Sequence, residues 1–140
     1  MPKLKKFIIS KENKNFSILN QKMVVGKSDP NLDIFDSIIV ASRDIKQAFI
    51  PSYIKKIDSS TFSHCCRLKS IQFDKNSKLE KIDDKVFSDS SIEKISIPSS
   101  VGQIGRGTFF GCQKLSRIQF EAKSQLKFVR NQAFAYSKIR

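Results

Sequence analysis

Between positions 97 and 120 the apolar residues fall at Ile97, Val101, Ile104, Phe109, Cys112, Leu115, Ile118 and Phe120, a spacing with no single period. An amphipathic helix would place them every three or four positions, and a half-buried strand every second one. The mixture predicts a short coil that turns several times and sends apolar side chains inward from each side. The same columns recur along the chain. Phe109 is echoed by Phe62, Phe87 and Phe134, at intervals of 25, 22 and 25 residues. Ile104 is echoed by Ile57, Ile82 and Val129, Leu115 by Leu68, Ile92 and Ile139, and Ile118 by Ile71 and Ile95. A coil of about 23 residues leaves apolar flat faces above and below, so it is stable only when stacked on similar coils. Longer turns with Cys (Phe62 to Leu68, Phe109 to Leu115) alternate with shorter turns with Ser (Phe87 to Ile92, Phe134 to Ile139). The unit is therefore a coil pair of 47 residues, which is also the spacing of Pro51 and Pro98.

From Ile45 the coils are regular. Ile45, Ala48 and Ile50 take the strand slots, and Pro51 ends the strand because it has no N–H for a ladder. Coils run over 51–73, 74–97 and 98–120, and a fourth begins at Glu121. Residues 1–44 depart from this period. Leu4–Ile9 is expected as a strand, Asn15–Leu19 and Met23–Gly26 as a hairpin around Asn20–Lys22, Lys27–Asn31 as a turn, and Ile38–Ala41 as a further strand. The expected division is a hairpin-bearing variant repeat or cap over 1–44, then regular repeats over 45–140 (three full coils and a partial fourth). The hairpin is expected to cover the open end of the stack. Gly105 is expected in a turn conformation that side chains resist, with Asp58 and Asp83 in the same column. The Phe column is expected to cap a short helical or 3-10 turn. The apolar face left bare after Leu126, Val129 and Phe134 predicts a longer repeat array, with a partner meeting that end as the alternative.

Ile92-Glu93-Lys94-Ile95-Ser96-Ile97-Pro98-Ser99-Ser100-Val101, followed by Ile104-Gly105, Phe109 and Cys112, resembles the leucine-rich repeats of the BspA-like type. That family's pattern runs roughly L-x-x-I-x-I-P-x-S-V-x-x-I-G-x-x-A-F-x-x-C. The match is close over 45–140 and loose over 1–44, and it departs at Thr61, Val86 and Thr108, where the family prefers Ala. The resemblance implies a leucine-rich-repeat solenoid of the α/β horseshoe class, mostly short parallel β-strands with short helical or 3-10 turns. It also implies a cell-surface or secreted protein, with adhesion to host or matrix proteins among the family's roles.

Charge changes this picture little. The net charge of +13 is spread over every coil, with carboxylates among the cations at Asp83, Asp84, Asp89 and Glu93. The densest basic run is Lys3, Lys5, Lys6, Lys11 and Lys14, opposed only by Glu12. Salt-sensitive attraction to polyanions is expected there, but no specific nucleic-acid site. No run of 18 apolar residues exists, so no membrane-spanning helix is expected. Met1–Ser10 has only Phe7-Ile8-Ile9 as an apolar core, short for a signal peptide, which makes a cytoplasmic location the alternative.

Candidate chemistry is sparse. Cys65 and Cys112 share a column two coils apart, so their sulfurs should lie ~10 Å apart, beyond disulfide reach. They are expected to be small apolar fillers, and Cys66 to be exposed. One histidine, His64, and no C-x-x-C pair argue against zinc. Asp83–Asp84 reads as a solvated turn pair. No triad order surrounds His64 and no Gly-rich loop follows a strand, so no catalytic residue, metal or cofactor is expected and the chain reads as non-enzymatic.

Alternation along each strand separates inward from outward side chains. With Ile71, Phe73, Ile95, Ile97, Ile118 and Phe120 inward, two outward rows result. One is Gln47, Ser70, Lys94 and Arg117; the other is Phe49, Gln72, Ser96 and Gln119. Phe49 is expected to be covered by the N-terminal hairpin. These rows are the predicted partner-binding face. The expected function is recognition of a protein or extracellular-matrix macromolecule, with an intracellular protein-interaction scaffold as the alternative. A polyanion binder acting through Lys3–Lys14 ranks below both.

Overall fold

A computed structural model describes residues 7–10 and 12–139. The strands are β1 (Phe16–Leu19), β2 (Met23–Gly26), β3 (Ser37–Ala41), β4 (Gln47–Ile50), β5 (Lys56–Ile57), β6 (Ser70–Phe73), β7 (Lys81–Ile82), β8 (Lys94–Ile97), β9 (Gln103–Ile104), β10 (Arg117–Phe120) and β11 (Phe128–Val129). They form two sheets. The four-residue strands make a parallel sheet in the order β4-β6-β8-β10. The two-residue strands continue a second sheet in the order β1-β2-β3-β5-β7-β9-β11, antiparallel through β1, β2 and β3 and parallel beyond. Each coil thus supplies one long strand to the first sheet and one short strand to the second.

Between the sheets lies one continuous core. Ile50, Ile54, Ile57, Leu68, Leu79, Ile82, Ile92, Ile104 and Leu115 are fully buried, and each burial contributes roughly 1.5–3 kcal/mol. Pro51 and Pro98 follow their strands without an N–H. At the equivalent places Asp74 and Glu121 extend the ladder, donating to Ile50 and Ile97 carbonyls at 3.0 and 3.1 Å.

Phe62, Phe87, Phe109 and Phe134 form a single stack, with successive centroids 5.4 Å apart and planes 8°, 9° and 3° from parallel. The turns that carry them are not helical: no helix occurs among the described residues. Two residues before each Phe the backbone is left-handed, at Ser60, Lys85, Gly107 and Gln132 (φ 63, 56, 61 and 60°). Two residues after, it is left-handed again, at His64, Asp89, Gly111 and Tyr136 (φ 58, 56, 72 and 55°). This alternation turns every second N–H along the stack axis. Ser60, Phe62 and His64 donate to the carbonyls of Asp84, Val86 and Ser88 at 3.0, 2.8 and 2.9 Å, and the next two coils repeat the pattern. A helical turn would keep those donors inside its own coil, so the bonds between coils replace it.

Gly105 departs from expectation in a related way. Its backbone is not left-handed, and that conformation falls at Gly107 instead. Gly105 is needed for space: a Cβ there would lie 2.5 Å from the carbonyl carbon of Asp83 and 2.6 Å from the amide of Asp84.

At the other end, β1 and β2 form an antiparallel hairpin closed by Asn20 and Gln21 (φ 52 and 62°). Leu4–Lys6 of the expected first strand lie outside the described residues, and Phe7–Ile9 carry no strand. Asp36, only 2% exposed, anchors the loop between β2 and β3. Its carboxylate accepts from the Ser28 hydroxyl at 2.6 Å and the Ser28 amide at 2.8 Å.

Candidate functional site

The outward face of the four-stranded sheet follows directly from strand register. Gln47 lies opposite Ser70 and Phe49 opposite Gln72; Ser70 lies opposite Lys94; Lys94 and Ser96 lie opposite Arg117 and Gln119. The inward neighbours Ala48, Ile50, Ile71, Ile95 and Ile97 are buried, which fixes the parity of each strand. All eight residues expected on this face are brought together. They line two adjoining shallow hollows. One, of about 300 Å³, is bounded by Asn20, Gln47, Ala48, Phe49, Ser70 and Gln72. The other, of about 280 Å³, runs from Ser70 and Gln72 to Lys94, Ser96, Arg117 and Gln119.

Phe49 is not covered by the hairpin. It is 47% exposed, and from the hairpin turn Asn20 lines one side of its hollow. The reason is topological: β1–β3 extend the second sheet, so only the turn of the hairpin reaches the edge of the four-stranded face.

A border column beyond these rows was missed from the sequence, although the same parity would have found it: Pro51 and Asp74, both half-buried, Pro98, which is buried, and the exposed Glu121. The Glu121 carboxylate accepts from the Ser99 amide at 3.1 Å, and that of Asp74 from the Asn76 amide at 2.9 Å. The face therefore runs from cations at Lys94 and Arg117, through amides and hydroxyls, to carboxylates at its other border.

The remaining polar clusters are structural. Lys56 lies 3.5 Å from Asp58 and 3.6 Å from Asp83, and Lys81 lies 3.9 Å from Asp83. Asp84 accepts the Arg106 amide at 2.8 Å. The Asp83–Asp84 pair is thus tied into coil stacking rather than simply solvated. His64 sits on the outer turn, 3.9 Å from Asp89 of the next coil. Among the described residues no three His, Cys, Asp or Glu side chains gather in a metal-binding group. Cys65 and Cys112 are buried free thiols, and Cys112 Sγ donates to the Phe87 carbonyl at 2.9 Å. Burial pushes the Cys112 thiol up to about 11 and raises that of Cys65.

Stacked parallel coils with an internal Phe column and one exposed sheet face define a leucine-rich-repeat solenoid. The chain belongs to the family described as the BspA type leucine rich repeat region, whose model matches residues 34–140 in six copies. Over 66% of its length it is 40% identical to the crystal structure of the pneumococcal vaccine antigen PcpA (TM-score 0.64), of which it spans 22%. A leucine-rich repeat protein from Eubacterium ventriosum is 22% identical over 91% of this chain and 36% of its own (TM-score 0.68). The T. pallidum leucine rich repeat protein is 16% identical over 87% of this chain and 70% of its own (TM-score 0.53). These last two share the fold. A search of curated proteins gives no match. No helix among the described residues is long and apolar enough to cross a membrane.

Proposed function

We propose that this solenoid is a non-enzymatic recognition module that binds a macromolecular partner through the face of its four-stranded sheet. The observation that carries this reading is the pair of outward rows. They offer Gln47, Ser70, Lys94 and Arg117 beside Phe49, Gln72, Ser96 and Gln119 at the fixed ~4.8 Å pitch of adjacent strands. An aromatic ring 47% exposed within an otherwise polar face supports it, because such rings are frequent binding anchors. Membership of the BspA type family and the likeness to a vaccine antigen support a partner met at the cell surface, including a host or extracellular-matrix protein. Residues 1–44 act as the cap of one end, supported by the antiparallel β1–β3 meander at that edge of the second sheet. Phe120, Phe128 and Val129, each more than 40% exposed at the other end, support continuation into further coils. The free thiols at Cys65, Cys66 and Cys112 favour the second reading, an intracellular scaffold.

Photo-crosslinking residues placed at Gln72 and Ser96, with controls at the exposed outer-turn positions Lys85 and Gln132, test the binding face. Cross-links to one matrix or host-surface protein from the face positions alone are expected. Equal capture from both sets sinks the reading. Surface labelling of cells that make the protein separates the two compartments.

A further inference from the structure

Six cations stand together along the border where the chain enters the four-stranded sheet. Arg67 and Lys114 each directly precede a buried leucine, Leu68 and Leu115. One row on lie Lys46 and Lys69, joined by an amide–carbonyl bond of 3.0 Å. Lys94 and Arg117, opposite one another in register, occupy the first outward row of the face itself. All six are exposed, and none forms an ion pair among the described residues. The acids of this border are Glu93, between Lys69 and Ser116, and Asp44, which is held by Lys22 at 3.1 Å.

The opposite sheet handles its charge differently. There Lys56 and Lys81 are neutralised by Asp58 and Asp83. Like charges placed opposite one another on adjacent strands repel. Lys94 facing Arg117 therefore works against the stack, and an anionic ligand would relieve that repulsion. Beyond the stripe, Ser70, Gln72, Ser96 and Gln119 present groups that both donate and accept, as peptide groups require. Beyond them again, Asp74 and Glu121 form a carboxylate border.

We infer that the face takes an acidic polypeptide segment. Its carboxylates lie on the cationic stripe and its peptide groups on the Ser and Gln rows. This rests on the recognition reading above and names its partner's chemistry. The carboxylate border selects this occupant over a sulfated glycan or a nucleic acid. A uniformly charged polymer crossing the face would meet Asp74 and Glu121, whereas a peptide can carry its acids on one side only.

A fluorescently labelled alternating Glu–Ser peptide, which in extended form carries all its acids on one side, is the probe, titrated against the purified chain at several salt concentrations. Lys69→Gln/Lys94→Gln/Arg117→Gln should weaken binding by about tenfold or more and flatten its salt dependence, because three charge contacts are lost. Lys78→Gln/Lys85→Gln/Lys127→Gln removes the same charge elsewhere and should change affinity less than about threefold. All six positions are partly or fully exposed side chains, and circular dichroism melts verify that both triple variants fold. Equal losses from the two variants would show diffuse attraction and overturn the proposal. So would stripe-dependent binding of heparin with none of the Glu–Ser peptide, which would make the occupant a glycan. If the Glu–Ser peptide fails to bind while cross-linking from Gln72 still identifies a partner, the acidic occupant is wrong and the recognition reading stands. If both fail, both fall.

Discussion

Phe87 and Phe109, 22 residues apart in sequence, stack with ring centroids 5.4 Å apart and planes 9° from parallel. Each ring also has a second neighbour in the column, Phe62 or Phe134. Phe87 is fully buried, so truncation leaves a cavity that rings fixed in adjacent coils cannot collapse to fill. Phe87→Ala should cost about 3–5 kcal/mol, a large share of a typical domain's stability. Phe134 has a ring on one side and is partly exposed, so Phe134→Ala should cost clearly less. Urea denaturation followed by circular dichroism compares the two. Equal losses would show that the column does not act as a stack.

Gly105 and Gly107 are glycines for different reasons, and substitution separates them. At Gly105 a Cβ meets the backbone of the preceding coil at 2.5 Å, so Gly105→Ala should cost at least about 1–3 kcal/mol through forced separation of two coils. At Gly107 the constraint is φ +61°, and the contacts a Cβ would make, 3.5 Å to Lys85 and 3.7 Å to Phe110, are ordinary. Lys85 holds the same left-handed conformation one coil earlier. Gly107→Asn should therefore stay within about 1 kcal/mol of the parent, since Asn tolerates that region. Thermal melts of the two variants check the order.

These features mark where sequence reasoning reaches and where it stops. The Phe column and the two outward rows were legible because burial imposes a period of about 23 residues on one and a period of two on the other. The left-handed turns were not, because Ser60, His64, Lys85 and Asp89 carry no glycine signature. The second sheet was hidden for another reason: strands of two residues, such as Lys81–Ile82, are too short to show alternation. Phe49 was misjudged because the hairpin's sheet cannot be assigned from its sequence. The cationic stripe emerges only after coils with Cys turns and coils with Ser turns are aligned by their ladders.

Thiol chemistry should follow burial. Cys65 and Cys112 are enclosed, with burial raising both thiols above their ordinary value, while Cys66 is exposed. Thiolate is the reactive form, so the enclosed pair should resist alkylation twice over. Iodoacetamide at pH 8 should label one cysteine in the native protein and all three after unfolding. Mass spectrometry counts the adducts and locates them. Rapid labelling of Cys112 under native conditions would mean that the third coil opens readily.

Asp36 gives the fold an acid-sensitive point. Burial pushes its carboxyl up, but the Ser28 hydroxyl and amide more than offset this and hold it below its ordinary value of 3.8. A carboxyl lowered on folding stabilises the protein fully above the unfolded value and loses that contribution as pH falls through the folded one. The bonds from Ser28, at 2.6 and 2.8 Å, should therefore weaken below about pH 4 and release the loop between β2 and β3. Asp36→Asn removes the charge at every pH. It should be less stable than the parent by about 1–3 kcal/mol at pH 7, with the gap shrinking as pH falls below 4. Urea midpoints at pH 7, 5 and 3 measure the gap, and hydrogen exchange over residues 27–35 reports whether this loop opens first. A gap independent of pH would show that Asp36 is held by packing alone, and that its ionised form contributes nothing to the fold.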